Sequence, residues 1–85
     1  KFYRMNNSKK TIIDVRTPDE FSYGNVPGSI NIPLQEIQQR LDEVKLLPQP
    51  IVLCCASGMR SAQATLFLKS IGIECENGGS WVTLN

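Results

Sequence analysis

Short apolar runs alternate with stretches of helical periodicity along this chain. Thr11-Ile12-Ile13-Asp14-Val15 reads as a short buried strand. Thr17-Pro18-Asp19-Glu20 follows at once, with threonine as N-cap, proline at the first helical position and glutamate three residues after the threonine, the pattern of a capping box. A short helix through Phe21 and Tyr23 should end at Gly24. Pro27-Gly28 marks a turn, and Ser29-Ile30-Asn31-Ile32 is a second strand stopped by Pro33. Leu34, Ile37, Leu41 and Val44 recur three, four and three residues apart, which predicts one amphipathic helix before Pro48 and Pro50 break the chain.

The second half repeats the alternation. Ile51 to Cys54 is a third strand, and it runs into a cysteine and a small-residue loop. Ala64, Phe67, Leu68 and Ile71 then return at helical spacing, with Gly72 where a left-handed C-terminal cap belongs. Ile73-Glu74-Cys75-Glu76 reads as a last short strand. Strands alternating with helices imply right-handed crossovers, hence an α/β fold with a mostly parallel sheet and helices on both faces. The expected organisation is an irregular N-terminal segment over residues 1–10 and a single small domain over residues 11–85.

A chain of 85 residues buries only about 60 to 65 per cent of its unfolded surface, so the core must be small. The net charge of +1, with both signs scattered, carries neither a nucleic-acid footprint nor a polybasic membrane patch. The longest uninterrupted apolar run, Ile51 to Ala56, is too short to cross a bilayer, and Lys1-Phe2-Tyr3-Arg4 has no signal-peptide core. No nucleic acid and no membrane partner are therefore expected, and a monomer is the default. The three cysteines lack zinc-site spacing and no histidine accompanies them, so neither a metal nor another cofactor is expected. The missing imidazole also removes any Cys-His or Ser-His-Asp arrangement. A nucleophile here must be activated by fixed dipoles and cations.

Ile51-Val52-Leu53-Cys54-Cys55-Ala56-Ser57-Gly58-Met59-Arg60-Ser61 supplies such an environment, because a strand, a tight loop and a helix start aim backbone N–H groups at one sulfur. In an open α/β sheet ligands bind at the carboxyl ends of strands, where Cys54 and Cys55 lie. Ala56, Ser57 and Gly58 let the backbone curl around an anion, and Arg60 can add a planar charged fork. Cys54 alternates to the opposite side of the strand and is expected in the core, and Cys75 is read as structural.

Cys55 to Ser61 resembles the active-site loop of the rhodanese, or thiosulfate sulfurtransferase, family, in which a cysteine opens a six-residue loop closed near an arginine. Asp14-Val15-Arg16, Glu20-Phe21, Gly24, Pro27-Gly28 and Asn31-Ile32-Pro33 are similar to an upstream segment of that family, and Asn77-Gly78-Gly79 with Trp81 to its terminal motif. The resemblance spans about Ile12 to Trp81 and is closest to the compact single-domain type, such as the small bacterial phage-shock rhodaneses. Asn25 stands where histidine is common and Ser29 where alanine is common.

The resemblance implies a rhodanese-like fold and a Cys55 thiolate that takes a sulfane sulfur from thiosulfate or a similar donor. Cys55 would then hold it as a persulfide and pass it to cyanide or a thiol. Ala56, Ser57, Gly58, Met59, Arg60 and Ser61 would bind the substrate anion through backbone N–H groups and the Arg60 guanidinium. Asp14 and Arg16 either line the site or form an ion pair fixing the first strand's exit, and the ion pair is the preferred reading. Trp81 and Phe67 are read as core or pocket wall.

Two other functions compete. A loop opening at Cys54, with five residues between it and Arg60, has the spacing of cysteine phosphatases and arsenate reductases, although Leu53 is not the histidine such phosphatases place there. A non-catalytic binding or sulfur-carrier module is the other. Free thiols favour the cytoplasm, while the likeness to small exported rhodaneses favours the periplasm after signal removal.

Overall fold

The computed structural model describes residues 10–84. Except for Lys10, the segment expected to be irregular lies outside the described residues. The elements run β1 (Thr11–Asp14), α1 (Pro18–Tyr23), β2 (Ile30–Asn31), a 3-10 turn (Leu34–Glu36), α2 (Leu41–Leu46), β3 (Ile51–Cys55), α3 (Met59–Ser70), β4 (Cys75–Ser80) and a second 3-10 turn (Trp81–Leu84). Four strands form one sheet in the order β2-β1-β3-β4, and every neighbouring pair is parallel, as the alternation predicts.

The side-chain period of two sorts β3 between two faces. Ile51, Leu53 and Cys55 join Ile13, Val15, Ile32, Ile37, Val44, Ala64, Leu68, Ile73 and Cys75 in the main core, beneath α2 and α3. Leu53 and Leu68 are completely buried, and each such side chain contributes about 1.5–3 kcal/mol over leaving it in water. Val52 and Cys54 face the other way, towards Ile12, Asp14 and the closing turn, whose Leu84 approaches Val52 across Gly78. That face is more thinly covered, since α1 has no fully buried residue.

Two expectations need correction. The stripe from Leu34 to Val44 is not one helix but a 3-10 turn, four turn residues and the short α2. All four apolar positions still reach the core, because a 3-10 turn and an α-turn both return every third or fourth residue to one side. The last strand starts two residues later than Ile73 and runs to Ser80, through Asn77-Gly78-Gly79. Glycine and asparagine have poor strand propensity, so that extension carries no apolar signal. A register shift at Leu53/Cys54 accommodates the extra residue, with Gly79 at φ +80°.

The helix ends follow the sequence. Thr17 and Glu20 form the reciprocal capping box, and Asn25 Nδ2 donates to the Phe21 carbonyl at 2.8 Å to close α1. At the end of α3, Gly72 takes φ +88° and the Ile73 N–H returns to the Leu68 carbonyl, a left-handed cap.

Candidate active site

β3 ends on Cys55 and α3 begins at Met59, so three residues separate the sulfur from a 12-residue helix. Gly58 makes that turn possible at φ +101°, which a side chain disfavours. An added Cβ would also meet the Gly79 Cα at 3.2 Å. The result is a loop curled over Cys55 Sγ. The Gly58 N–H donates to the sulfur at 3.0 Å and the Ser61 N–H at 3.4 Å, with Ser61 Oγ at 3.5 Å. Burial alone would push the Cys55 thiol up. The Ser61 hydroxyl and the N–H groups of Ser61, Gly58 and Ser57 outweigh it and bring the thiol down to about 7.

Cys54 has the opposite environment. Burial and the nearby Asp14 carboxylate push its thiol up to about 12, against a smaller opposing pull from Arg16. A loop opened by Cys54 would therefore start from a sulfur that stays protonated at neutral pH. Cys75 is buried as well, its Sγ donating to the Thr65 carbonyl at 3.6 Å, and burial raises its thiol too.

The other expected site residues divide by position. Ala56, Ser57 and Met59 form the exposed rim of the loop, whereas Ser61 is completely buried beneath it. Arg60 does not contribute a hydrogen bond to the sulfur. Its two terminal nitrogens are held by Glu20 of α1, Nη1 on Oε1 at 2.8 Å and Nη2 on Oε2 at 3.0 Å. Asp14 and Arg16 form a buried ion pair: Arg16 Nε donates to Asp14 Oδ1 and Oδ2 at 2.9 and 3.0 Å, and Nη2 to Oδ2 at 2.7 Å. Arg16 also donates to the Glu20 and Gly24 carbonyls and lies 4.5 Å from the centroid of the Trp81 ring. This is the ion-pair reading of those two residues. Trp81 is half-buried as a wall against Arg16, and Phe67 packs on the main core.

Asn77 is the residue whose role the sequence left unread. Its Nδ2 donates to the Gly58 carbonyl at 3.1 Å, and its Oδ1 accepts from Ser61 Oγ at 2.6 Å and the Gly79 N–H at 3.0 Å. These bonds tie the Gly58 carbonyl to β4 and draw the Ser61 hydroxyl proton towards Asn77. A hydroxyl has one proton, and the Asn77 contact is shorter than the 3.5 Å to sulfur, so the backbone N–H groups are the constant donors to Sγ. The only signal was Asn77 in the Asn-Gly-Gly motif, without an assigned role. Asn77→Asp sets a carboxylate against the Gly58 carbonyl. The midpoint of Cys55 alkylation by iodoacetamide, followed against pH, is expected to rise by about half to one pH unit. An unchanged midpoint removes Asn77 from the site.

Cys55 itself is completely buried, while Ala56 and Ser57 immediately after it are exposed. One concavity of about 420 Å³ adjoins the loop on Met59, Arg60, Ala62 and Gln63, and another of about 250 Å³ lies beside Val52 and Leu84. Among the described residues no group of three or more His, Cys, Asp or Glu side chains is placed to hold a metal, and no helix is long and apolar enough to cross a membrane.

The sequence is 37% identical over 70 residues to the uncharacterized protein YqhL of Bacillus subtilis, covering 82% of this chain and 55% of that protein. It is 36% identical over 69 residues to the thiosulfate sulfurtransferase PspE of Escherichia coli, covering 79% of this chain and 66% of that protein. The chain thus spans less than two thirds of the length of either relative. A solved rhodanese with anions from E. coli superposes with a TM-score of 0.77 at 32% identity, covering 85% of this chain and 87% of that one. The Rhodanese-like domain profile matches residues 1–80. With that match over a parallel sheet whose third strand delivers Cys55 into a ring of amides, the chain belongs to the rhodanese-like domain family.

Proposed function

We propose that this chain is a sulfurtransferase that carries sulfur on Cys55. The observation that supports it most directly is the Gly58 N–H at 3.0 Å from Sγ, joined by the Ser61 N–H, because these groups favour an anionic sulfur without a histidine base. The Cys55 thiolate attacks the outer sulfur of thiosulfate. The new S–S bond forms as the old one breaks, and sulfite leaves with the electron pair. The enzyme persulfide keeps one negative charge, stabilised by the same N–H groups. Cyanide or a thiolate then attacks the outer sulfur, leaving as thiocyanate or a persulfide and restoring the Cys55 thiolate. Ala56, Ser57, Gly58, Met59, Arg60 and Ser61 shape the passage for donor and acceptor.

Incubation with thiosulfate followed by intact-mass measurement tests the reading: a gain of one sulfur atom is expected. No gain, together with hydrolysis of an aryl phosphate, would favour the phosphatase alternative; neither result would favour a binding module. The rate of sulfur uptake has a definite pH dependence. Only the thiolate attacks, so with the thiol at about 7 the rate should rise with pH through that value and level off above it. An inflection near the ordinary cysteine value of about 8.5 contradicts the activation argument.

A further inference from the structure

Arg60 reaches the loop as its cation, yet both of its terminal nitrogens are already occupied. The carboxylate that occupies them is held in place from elsewhere. Glu20 Oε1 also accepts the Thr17 N–H at 2.9 Å, and the Glu20 N–H donates to Thr17 Oγ1, so the capping box of α1 fixes the side chain that faces Arg60. Arg60 and the capping-box N–H bring the Glu20 carboxyl down to about 2, which keeps it ionised throughout the working range. Arg60 stands in the first turn of α3, between Gly58 and Ser61, whose N–H groups both donate to Cys55 Sγ. A dianion approaching the sulfur must therefore compete with an internal carboxylate for the guanidinium, whereas a neutral donor has no need of it.

Building on the sulfurtransferase reading, we propose that Glu20 sets donor selectivity by charge. By cancelling Arg60 it disfavours highly charged donors such as thiosulfate relative to weakly charged ones such as an organic persulfide. With the latter, Cys55 takes the outer sulfur, the S–S bond of the donor breaks, and the organic thiolate leaves with the electron pair. Glu20 acts through Arg60 and does not itself meet the reacting atoms.

The test separates this proposal from the sulfurtransferase reading by using alkylation of Cys55. Iodoacetate is an anion and iodoacetamide is neutral; with each the S–C bond forms as the C–I bond breaks and iodide departs. The ratio of the two rates, read at Cys55 by peptide mass, reports charge near the sulfur and is insensitive to a change in thiolate fraction common to both reagents. Glu20→Gln retains an oxygen for the Thr17 N–H and thus the capping box, while removing the charge. It is expected to raise the iodoacetate-to-iodoacetamide ratio about three- to fivefold at low salt, a modest factor because both side chains are 36% exposed. The rise should collapse in about 1 M salt. Arg60→Gln should lower the ratio by a similar factor, and the double variant should return it close to the parent value. The same Glu20→Gln protein should take sulfur from thiosulfate faster relative to an organic persulfide. A ratio that stays constant across all three variants, or changes equally in low and high salt, overturns the role of Glu20. A charge-dependent ratio in a protein that accepts sulfur from no donor rejects the sulfurtransferase reading and the donor selectivity that rests on it, and leaves only the cancellation of the Arg60 charge by Glu20.

Discussion

Cys55→Ser is expected to take up no sulfur from thiosulfate and to slow sulfite release on the order of a thousandfold or more. The amide cage that lowers a thiol to about 7 cannot make an alkoxide from serine at neutral pH, because a hydroxyl starts from a far higher value. The fold should tolerate the change, since Ser61 and Gly58 can donate to the new oxygen as they do to sulfur. Cys54→Ser is the paired control. Its thiol is pushed up to about 12 and faces away from the loop, so this variant should still gain one sulfur atom by intact mass. Uptake that survives in Cys55→Ser, or disappears only in Cys54→Ser, places the nucleophile on the neighbouring residue.

The largest stability effect is expected at Asp14. This carboxylate is completely buried and its partner Arg16 is 4% exposed. Removing it as Asp14→Ala strands a guanidinium whose charge has no other acid at contact distance among the described residues. Breaking such a pair costs about 3–5 kcal/mol, a large share of what a domain of this size has. Urea unfolding of parent and variant measures it. A double variant with Arg16→Met should recover part of the loss, because the unpaired charge is gone. Recovery stays incomplete, because the Glu20 and Gly24 carbonyls lose their donor and Trp81 its cation. A loss below about 1 kcal/mol for Asp14→Ala would mean that solvent reaches Arg16 readily.

The readable parts of the sequence were those where one local cause decides the outcome. Thr17 to Glu20 announces its capping box through residue chemistry alone, and Ile51 to Cys54 announces a short apolar strand, which the fold carries one residue further to Cys55. Cys55 stands out only in combination: a strand-end cysteine alone is more often a core residue, and the small-residue loop, the helix start and the flanking motifs together single it out. The split of Leu34–Val44 was hidden because 3-10 and α turns leave the same apolar spacing. The strand through Asn77-Gly78-Gly79 was hidden because its pairing rests on the backbone of β3, and glycines carry no side-chain pattern. Asn77 was missed with it, since a clamp joining β4 to the loop at Gly58 and Ser61 spans 16 to 19 residues and exists only after folding. Glu20 was recognised as a cap but not as the partner of Arg60, 40 residues away, for the same reason.

The two outermost strands have a further consequence. β2 pairs over only two residues and is followed closely by Pro33, which has no N–H to offer. β4 carries Glu76 and kinks at Gly79, where the register slips. A foreign strand laid along either side would meet a missing amide, a repelling charge or a bend, so the sheet resists lateral growth into fibrils at its own margins.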